Sequence, residues 1–246
     1  MKYLIIIIFS LLIITPVQAN SLSDMDKDGV PDRDEIEIYK TNPENSDTDG
    51  DGYSDFIELN NGYSPLESSS LKLTDSDYDN DGLSDKMELN FGTDLSNSDT
   101  DGDGYLDGVE IENGFDPNSA KEIKLEKRIE VDTSSQVMKY FLGGVKMGDF
   151  IVSTGAWNTQ TPKGHFKIDY KDPRALAAKY NLWMPWWMSL QHGYFGIHEL
   201  PEWSNGVKEG EDHLGKPVSH GCIRLGVGPA KYIYDWAPMG TEVFIY

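Results

Sequence analysis

Four twelve-residue stretches constrain this chain more than anything else in it: DMDKDGVPDRDE from Asp24, DTDGDGYSDFIE from Asp47, DYDNDGLSDKME from Asp77 and DTDGDGYLDGVE from Asp99. Each has Asp at positions one, three, five and nine, Gly at six and Glu at twelve. Carboxylates at that density repel one another unless a cation sits among them. The spacing is that of a calcium loop: alternate carboxylates and the position-seven carbonyl surround a hard cation, Gly permits the sharp turn, and the last Glu binds bidentately. The expected donors are Asp24, Asp26, Asp28, Val30, Asp32 and Glu35 in the first loop, and Asp47, Asp49, Asp51, Tyr53, Asp55 and Glu58 in the second. In the third they are Asp77, Asp79, Asp81, Leu83, Asp85 and Glu88, and in the fourth Asp99, Asp101, Asp103, Tyr105, Asp107 and Glu110. Oxygen donors in such number suit Ca²⁺ in a structural role. A solvated acidic linker rich in Asx turns is the competing reading.

The loops do not read as paired EF-hands, because after each Glu there is room only for a short helix before Asn-Pro or Gly stops it. Loop starts are 23, 30 and 22 residues apart, which predicts one-helix units stacked end to end. Charge divides the chain at the end of this array. Residues 1–120 hold 28 Asp and Glu against 6 Lys and Arg, whereas residues 121–246 hold 14 against 15 and carry all six Trp. The predicted organisation is a repeat array over 20–120 and a domain with its own apolar core over 121–246. So acidic a chain makes nucleic acid an improbable partner.

The opening MKYLIIIIFSLLIITPVQAN has Lys2, a twelve-residue apolar run from Tyr3 to Ile14, and a small-x-small ending at Val17 and Ala19. This predicts a secretory signal over 1–19 and an exported protein, in a periplasm or cell wall. The run is shorter than the roughly 20 residues that span a bilayer, so membrane contact is expected only if the signal stays uncleaved. An exported chain with one cysteine, Cys222, raises a second question. Outside the cytosol an unpaired Cys is either a reactive thiol, half of an intermolecular bond, or an inert buried hydrophobe.

After Ile129 the sequence turns to short alternating apolar stretches broken by glycine, such as GDFIVSTG, GHFKIDY, GYFGIHEL and TEVFIY. These predict strands, and hence a mainly β fold, with one helix in GPAKYIYDWAP started by Pro229 and stopped by Pro238. A thiol needs a base or a cationic neighbour to become a good nucleophile. His220 stands two residues before Cys222, and His198 ends a predicted strand that could face the same place. Residue chemistry leaves the choice of base open, with His165, His192 and His213 read as surface or structural.

STGAWNTQTPKGHFKI, MPWWMSLQHGYFGIHEL, LGKPVSHGCIRL and YIYDWAPMGTEVFI together resemble the YkuD-type L,D-transpeptidase catalytic domain, from about Lys124 to Tyr246. TNPENSDTDGDG and GTDLSNSDTDGDG likewise resemble bacterial thrombospondin type 3 repeats, over about 22–120. The first resemblance implies a β-rich catalytic domain with Cys222 as nucleophile and His198 as base and acid, oriented by the Glu199 carbonyl. It further implies that the amides of His220, Gly221 and Cys222, next to Ser219, form the oxyanion hole. The implied substrates are peptidoglycan stem peptides, joined through a thioester to an amine acceptor without a catalytic metal. The second resemblance implies a calcium-stiffened arm.

Two features depart from the common family pattern. Twenty residues separate His198 from Ser219, and Arg224 stands where many members have Asn, either as an ion-pair residue or as a holder of a substrate carboxylate. LWMPWWMSL reads either as a groove wall beside the thiol or as a core strand. Water as acceptor would make the protein an L,D-carboxypeptidase or cross-link hydrolase, and a degenerate domain would leave a calcium-dependent surface scaffold. A papain-like protease is disfavoured, because there the Cys precedes the His.

Overall fold

The structure, a computed structural model, describes residues 23–246. The expected export signal lies outside them. Two compact units divide the chain, one ending at Tyr78 and the other running from Asp79 to Tyr246.

In the first unit, helix α1 (Asp32–Asp34) runs into a π-turn (Glu35–Tyr39), and α2 spans Asp55–Asn61. Each starts at the ninth loop position, so the twelfth-position Glu lies inside the helical segment and not before it. The Ser54 side chain accepts from the Ile57 amide at 3.4 Å. Left-handed residues end the segments, Lys40 at φ 61° and Gly62 at φ 78°. The two loops are joined as a pair. Asp28 Oδ2, at position five of the first loop, accepts from the Phe56 amide at 2.9 Å, and the Phe56 ring packs on Gly29.

The second unit repeats that pairing. Helices α3 (Asp85–Phe91) and α4 (Asp107–Asn113) end in left-handed Gly92 and Gly114. Asp81 Oδ2 accepts from the Gly108 amide at 2.9 Å, and a Cβ on Gly108 would lie 2.6 Å from the Asp81 carbonyl oxygen. Each unit thus holds one such bond between neighbouring loops. Paired loops also alternate in what position seven does: Val30 and Leu83 are buried, whereas Tyr53 and Tyr105 are exposed.

The rest of the second unit is a mainly β domain. Its strands are β1 (Lys127–Asp132), β2 (Val137–Leu142), β3 (Val145–Ser153), β4 (Gly164–Ala177), β5 (Leu182–Leu190), β6 (Phe195–Glu199), β7 (Glu202–Trp203), β8 (Ile223–Leu225) and β9 (Glu242–Ile245). They form one sheet in the order β4-β9-β1-β2-β3-β8-β6-β5-β7, and β4 also pairs with β5, so the sheet curls toward a barrel. Ile129, Val131, Met138, Ile168, Met188, Ile197 and Val243 fill its interior. Helix α5 (Pro229–Trp236) starts on Pro229, as expected, and buries Ala230 and Ile233 against β5 and β6. Alternation is clean in β2 but absent in β6 and β8, which are buried throughout. Both faces of a strand buried in this way lose the period-two signal.

Although repeat sequence ends near residue 120, the last two repeats pack with the sheet. Leu83 and Ile111 form an apolar cluster with Leu142 of β2, extended by Met87, Phe91, Leu125, Met147 and Trp236. Among the described residues no helix is long and apolar enough to cross a membrane.

Candidate active site and cation loops

Strands β6 and β8 run parallel, with His198 opposite Arg224, and Cys222 directly precedes β8. One cleft of about 290 Å³ is lined by His198, His220, Cys222 and Arg224, with Tyr180, Leu182 and Met184 from the β4–β5 hairpin and Trp203 and Glu209 from the segment before Ser219. The residues picked out from sequence therefore converge. The Tyr180 ring, in the hairpin tip, lies 5.0 Å from the His220 ring. LWMPWWMSL serves in both roles proposed for it: Leu182 and Met184 face the cleft, while Met188 and Leu190 are core. Trp187 lies 5.7 Å from the His198 ring.

His198 is buried, with Nδ1 2.5 Å from the Glu199 carbonyl oxygen. A carbonyl only accepts, so Nδ1 carries the proton and Nε2 keeps its lone pair. Burial pushes the imidazole down to about 3; the Arg224 charge adds to this, while the Glu199 hydrogen bond opposes it. Cys222 is half-buried, and burial raises its thiol above the usual range against the opposing effects of the Gly196 backbone and Arg224. Both shifts favour the uncharged forms of the thiol and the imidazole that line this cleft.

The turn carrying the thiol is held by bonds that residue chemistry alone did not point to. Ser219 Oγ donates to the Cys222 carbonyl at 2.6 Å and accepts from the Gly221 amide at 3.1 Å. That contact changes the expectation for Gly221: its N–H is already committed to Ser219. Gly221 is instead required by its φ of +116°, which side chains rarely adopt. From the other side, Thr159 Oγ1 donates to the Ser219 carbonyl and Thr161 Oγ1 to the Gly221 carbonyl, both at 2.9 Å. Thr154, tied to Gln136, accepts the Ser219 amide at 2.9 Å. A Cβ on Gly155 would sit 2.0 Å from the Thr159 carbonyl oxygen, so this clamp loop closes only around glycine. The signal lay in the threonines of STGAWNTQT.

Elsewhere, His165 stacks edge-on with Phe244 and His192 lies exposed 3.5 Å from Asp169. His213 approaches Glu209 at 3.9 Å. The segment between His198 and Ser219 is more than a polar loop. It adds β7 to the sheet, pairs Lys208 with Glu199 and Glu202, and brings Glu209 to Arg224.

Residues 126–245 match the L,D-transpeptidase catalytic domain (YkuD), and residues 47–62, 77–94 and 99–120 match the bacterial TSP3 repeat. Residues 126–245 are an L,D-transpeptidase catalytic domain. A Bacillus subtilis (strain 168) protein assigned as the L,D-transpeptidase YciB is 29% identical over 134 residues, covering 49% of this chain and 66% of its own. A Bacillus licheniformis protein assigned as the L,D-transpeptidase YkuD is 27% identical over 118 residues, covering 48% and 64%. The match thus spans just under two thirds of these relatives. Among solved structures, an L,D-transpeptidase from Mycobacterium smegmatis is 20% identical over 51% of this chain and 60% of that one, with TM-score 0.44. One from Stackebrandtia nassauensis is 26% identical over 51% and 58%, with TM-score 0.41.

Ahead of the transpeptidase domain lie the four acidic loops, the last three inside the TSP3 matches. The carboxylates of Asp24, Asp26 and Asp28 gather within 4.8 Å of one another, as do those of Asp47, Asp49 and Asp51 and of Asp99, Asp101 and Asp103. In the third loop Asp77 lies in the first unit, and Asp79, Asp81, Asp85 and Glu88 belong to the second. The same two positions recur with a buried oxygen that has no hydrogen-bond partner: Oδ2 of Asp26, Asp49 and Asp101 at position three, and Oε2 of Glu35, Glu58, Glu88 and Glu110 at position twelve. Burial, then the neighbouring Asp charges, push Glu58 and Glu88 up to about 8 and Glu110 to about 7. Glu35 also rises to about 7, through burial and the charges of Asp26, Asp28 and Asp55, against a Thr41 hydrogen bond. Converging desolvated carboxylates with idle lone pairs fit a hard divalent ion. Position nine is different. Asp55 accepts from the Thr48 amide and hydroxyl at 2.8 and 2.7 Å, and Asp107 from those of Thr100 at 2.9 and 2.6 Å. Asp32 accepts from the Met25 amide at 2.7 Å. These Asp residues close their loops, which suits a ligand acting through water.

Proposed function

We propose that this protein is an exported peptidoglycan L,D-transpeptidase that uses Cys222 as nucleophile. The observation that carries the reading is the locked tautomer of His198, whose Nε2 keeps its lone pair in the cleft that Cys222 also lines. Nε2 takes the Sγ proton, and Sγ attacks the carbonyl carbon of the amide that follows an L-centre in a stem peptide. The oxyanion that forms is held by backbone amides of the Ser219-to-Cys222 turn, those of His220 and Cys222, since Gly221 donates to Ser219. As the C–N bond breaks, the His198 imidazolium protonates the departing amine, leaving a thioester on Cys222. An amine of a second stem peptide then gives a proton to His198 and attacks the thioester; the C–S bond breaks and Sγ regains its proton. A metal has no place in these steps. In the TSP3 loops Ca²⁺ would neutralise the carboxylates at positions one, three, five and twelve, and so stiffen the arm.

Incubation with purified muropeptides and an acceptor peptide, followed by mass spectrometry, tests the proposal. Cross-linked product that disappears in Cys222→Ala supports it. Hydrolysed product alone would make the protein an L,D-carboxypeptidase, and no product would favour the scaffold alternative.

A further inference from the structure

Arg224 and Glu209 face each other inside the cleft. Arg224 is fixed by β8, whose residues are all buried, while Glu209 belongs to the segment between His198 and Ser219. Glu209 Oε2 lies 2.9 Å from Arg224 Nη1, with side-chain exposures of 22% and 9%. The Glu209 amide donates to the Pro201 carbonyl at 2.8 Å, anchoring the segment where its carboxylate reaches the guanidinium. Arg224 is nonetheless under-used. Its Nε is buried and has no hydrogen-bond partner, although a guanidinium fork can hold a carboxylate through two parallel bonds. The two residues are the only Arg, Lys, Asp or Glu lining this cleft among the described residues, so Glu209 alone cancels its positive charge.

We propose that Glu209 is an internal stand-in for a substrate carboxylate: it occupies Arg224 in the resting cleft and yields it to the free carboxylate of an entering peptide. The extended segment is then a specificity element, selecting peptides with a free carboxylate near the scissile amide. Exchange of one carboxylate for another keeps the ion pair. The desolvation of Arg224 is already met in the folded chain, so the swap costs little, and a second bond to Nε favours the incoming group. The identity of the peptide rests on the acyl-transfer reading above, but the charge exchange does not.

Alkylation of Cys222, the chain's sole thiol, separates the two. Rates with neutral iodoacetamide and anionic iodoacetate are compared in the full chain. Glu209→Gln should raise the iodoacetate-to-iodoacetamide ratio about fivefold, the effect of baring one positive charge in a half-dry cleft. Adding Arg224→Gln should cancel the gain. Glu209→Asp, which keeps the charge but shortens its reach, should give an intermediate ratio and serves if the Gln variant does not fold. An unchanged or lower ratio in Glu209→Gln and Glu209→Asp would overturn the proposal, because Glu209 would then only be holding Arg224 in place. With stem peptides, Glu209→Gln should lower KM for donors bearing a free carboxylate and leave KM for their amides unchanged; equal effects on both would also contradict it. Absence of cross-linking by the unaltered protein would sink the transpeptidase reading and leave the alkylation ratio untouched.

Discussion

The repeat array and the curled sheet bury opposite kinds of side chain. In the sheet most of the fully buried residues are apolar, among them Ile129, Met138, Met188, Ile197 and Ile223. In the array Glu35, Asp55, Asp85, Glu88 and Asp107 are at 0% exposure. Buried apolar area stabilises a fold unaided, whereas buried carboxylates destabilise it until they are neutralised. On the proposed reading the sheet is complete as a fold, and the array is completed by its cations. Repeats three and four stand between these cases, because Leu83 and Ile111 give them an apolar anchor on Leu142.

This contrast can be broken at several points, beginning with the largest effect. Cys222→Ala should abolish cross-linking while leaving calcium-dependent compaction of the array unchanged; any shift in that compaction would show that the two halves are not independent in function. His198→Ala should lower the rate by roughly 10²–10⁴, with a smaller loss in His220→Ala. The reverse order would mean that the base is not the residue locked on Glu199. Because burial raises the Cys222 thiol, inactivation by iodoacetamide should accelerate about tenfold for each pH unit between 7 and 9, following the rising thiolate fraction. A flat rate across that range would indicate a thiolate–imidazolium pair. The smallest effect probes the anchor. Leu83→Ala should destabilise the second unit by about 2–4 kcal/mol in calcium, the usual cost of truncating a buried Leu. No change in its melting would mean that the cluster adds nothing to the sheet.

Much of this contrast was legible in the residues. The six-position repeat located every loop, and the alternation in GHFKIDY and TEVFIY and the stretch SHGCIRL located strands and the thiol turn. What stayed hidden depends on contacts between distant residues. The pairing of loops rests on one bond from Phe56 to Asp28 and another from Gly108 to Asp81, 28 and 27 residues apart, which no local period encodes. Position-seven Leu83 looked like a carbonyl donor, but its side chain is also a core residue. The thiol turn was readable, but the threonine clamp around it was not, because Thr159 and Thr161 reach Ser219 and Gly221 across 60 residues. Arg224 was ambiguous until Glu209 was found beside it.

Hydrogen exchange on the full chain, with calcium and then with EGTA, tests most directly the claim that the array is ordered by ligand and the sheet by its own core. Chelation should remove protection from residues 23–78 and from the loop segments of 79–120, while β1, β2, β6 and β8 keep theirs and cross-linking continues. Loss of protection in β6 and β8 on chelation, together with loss of activity, would contradict the account.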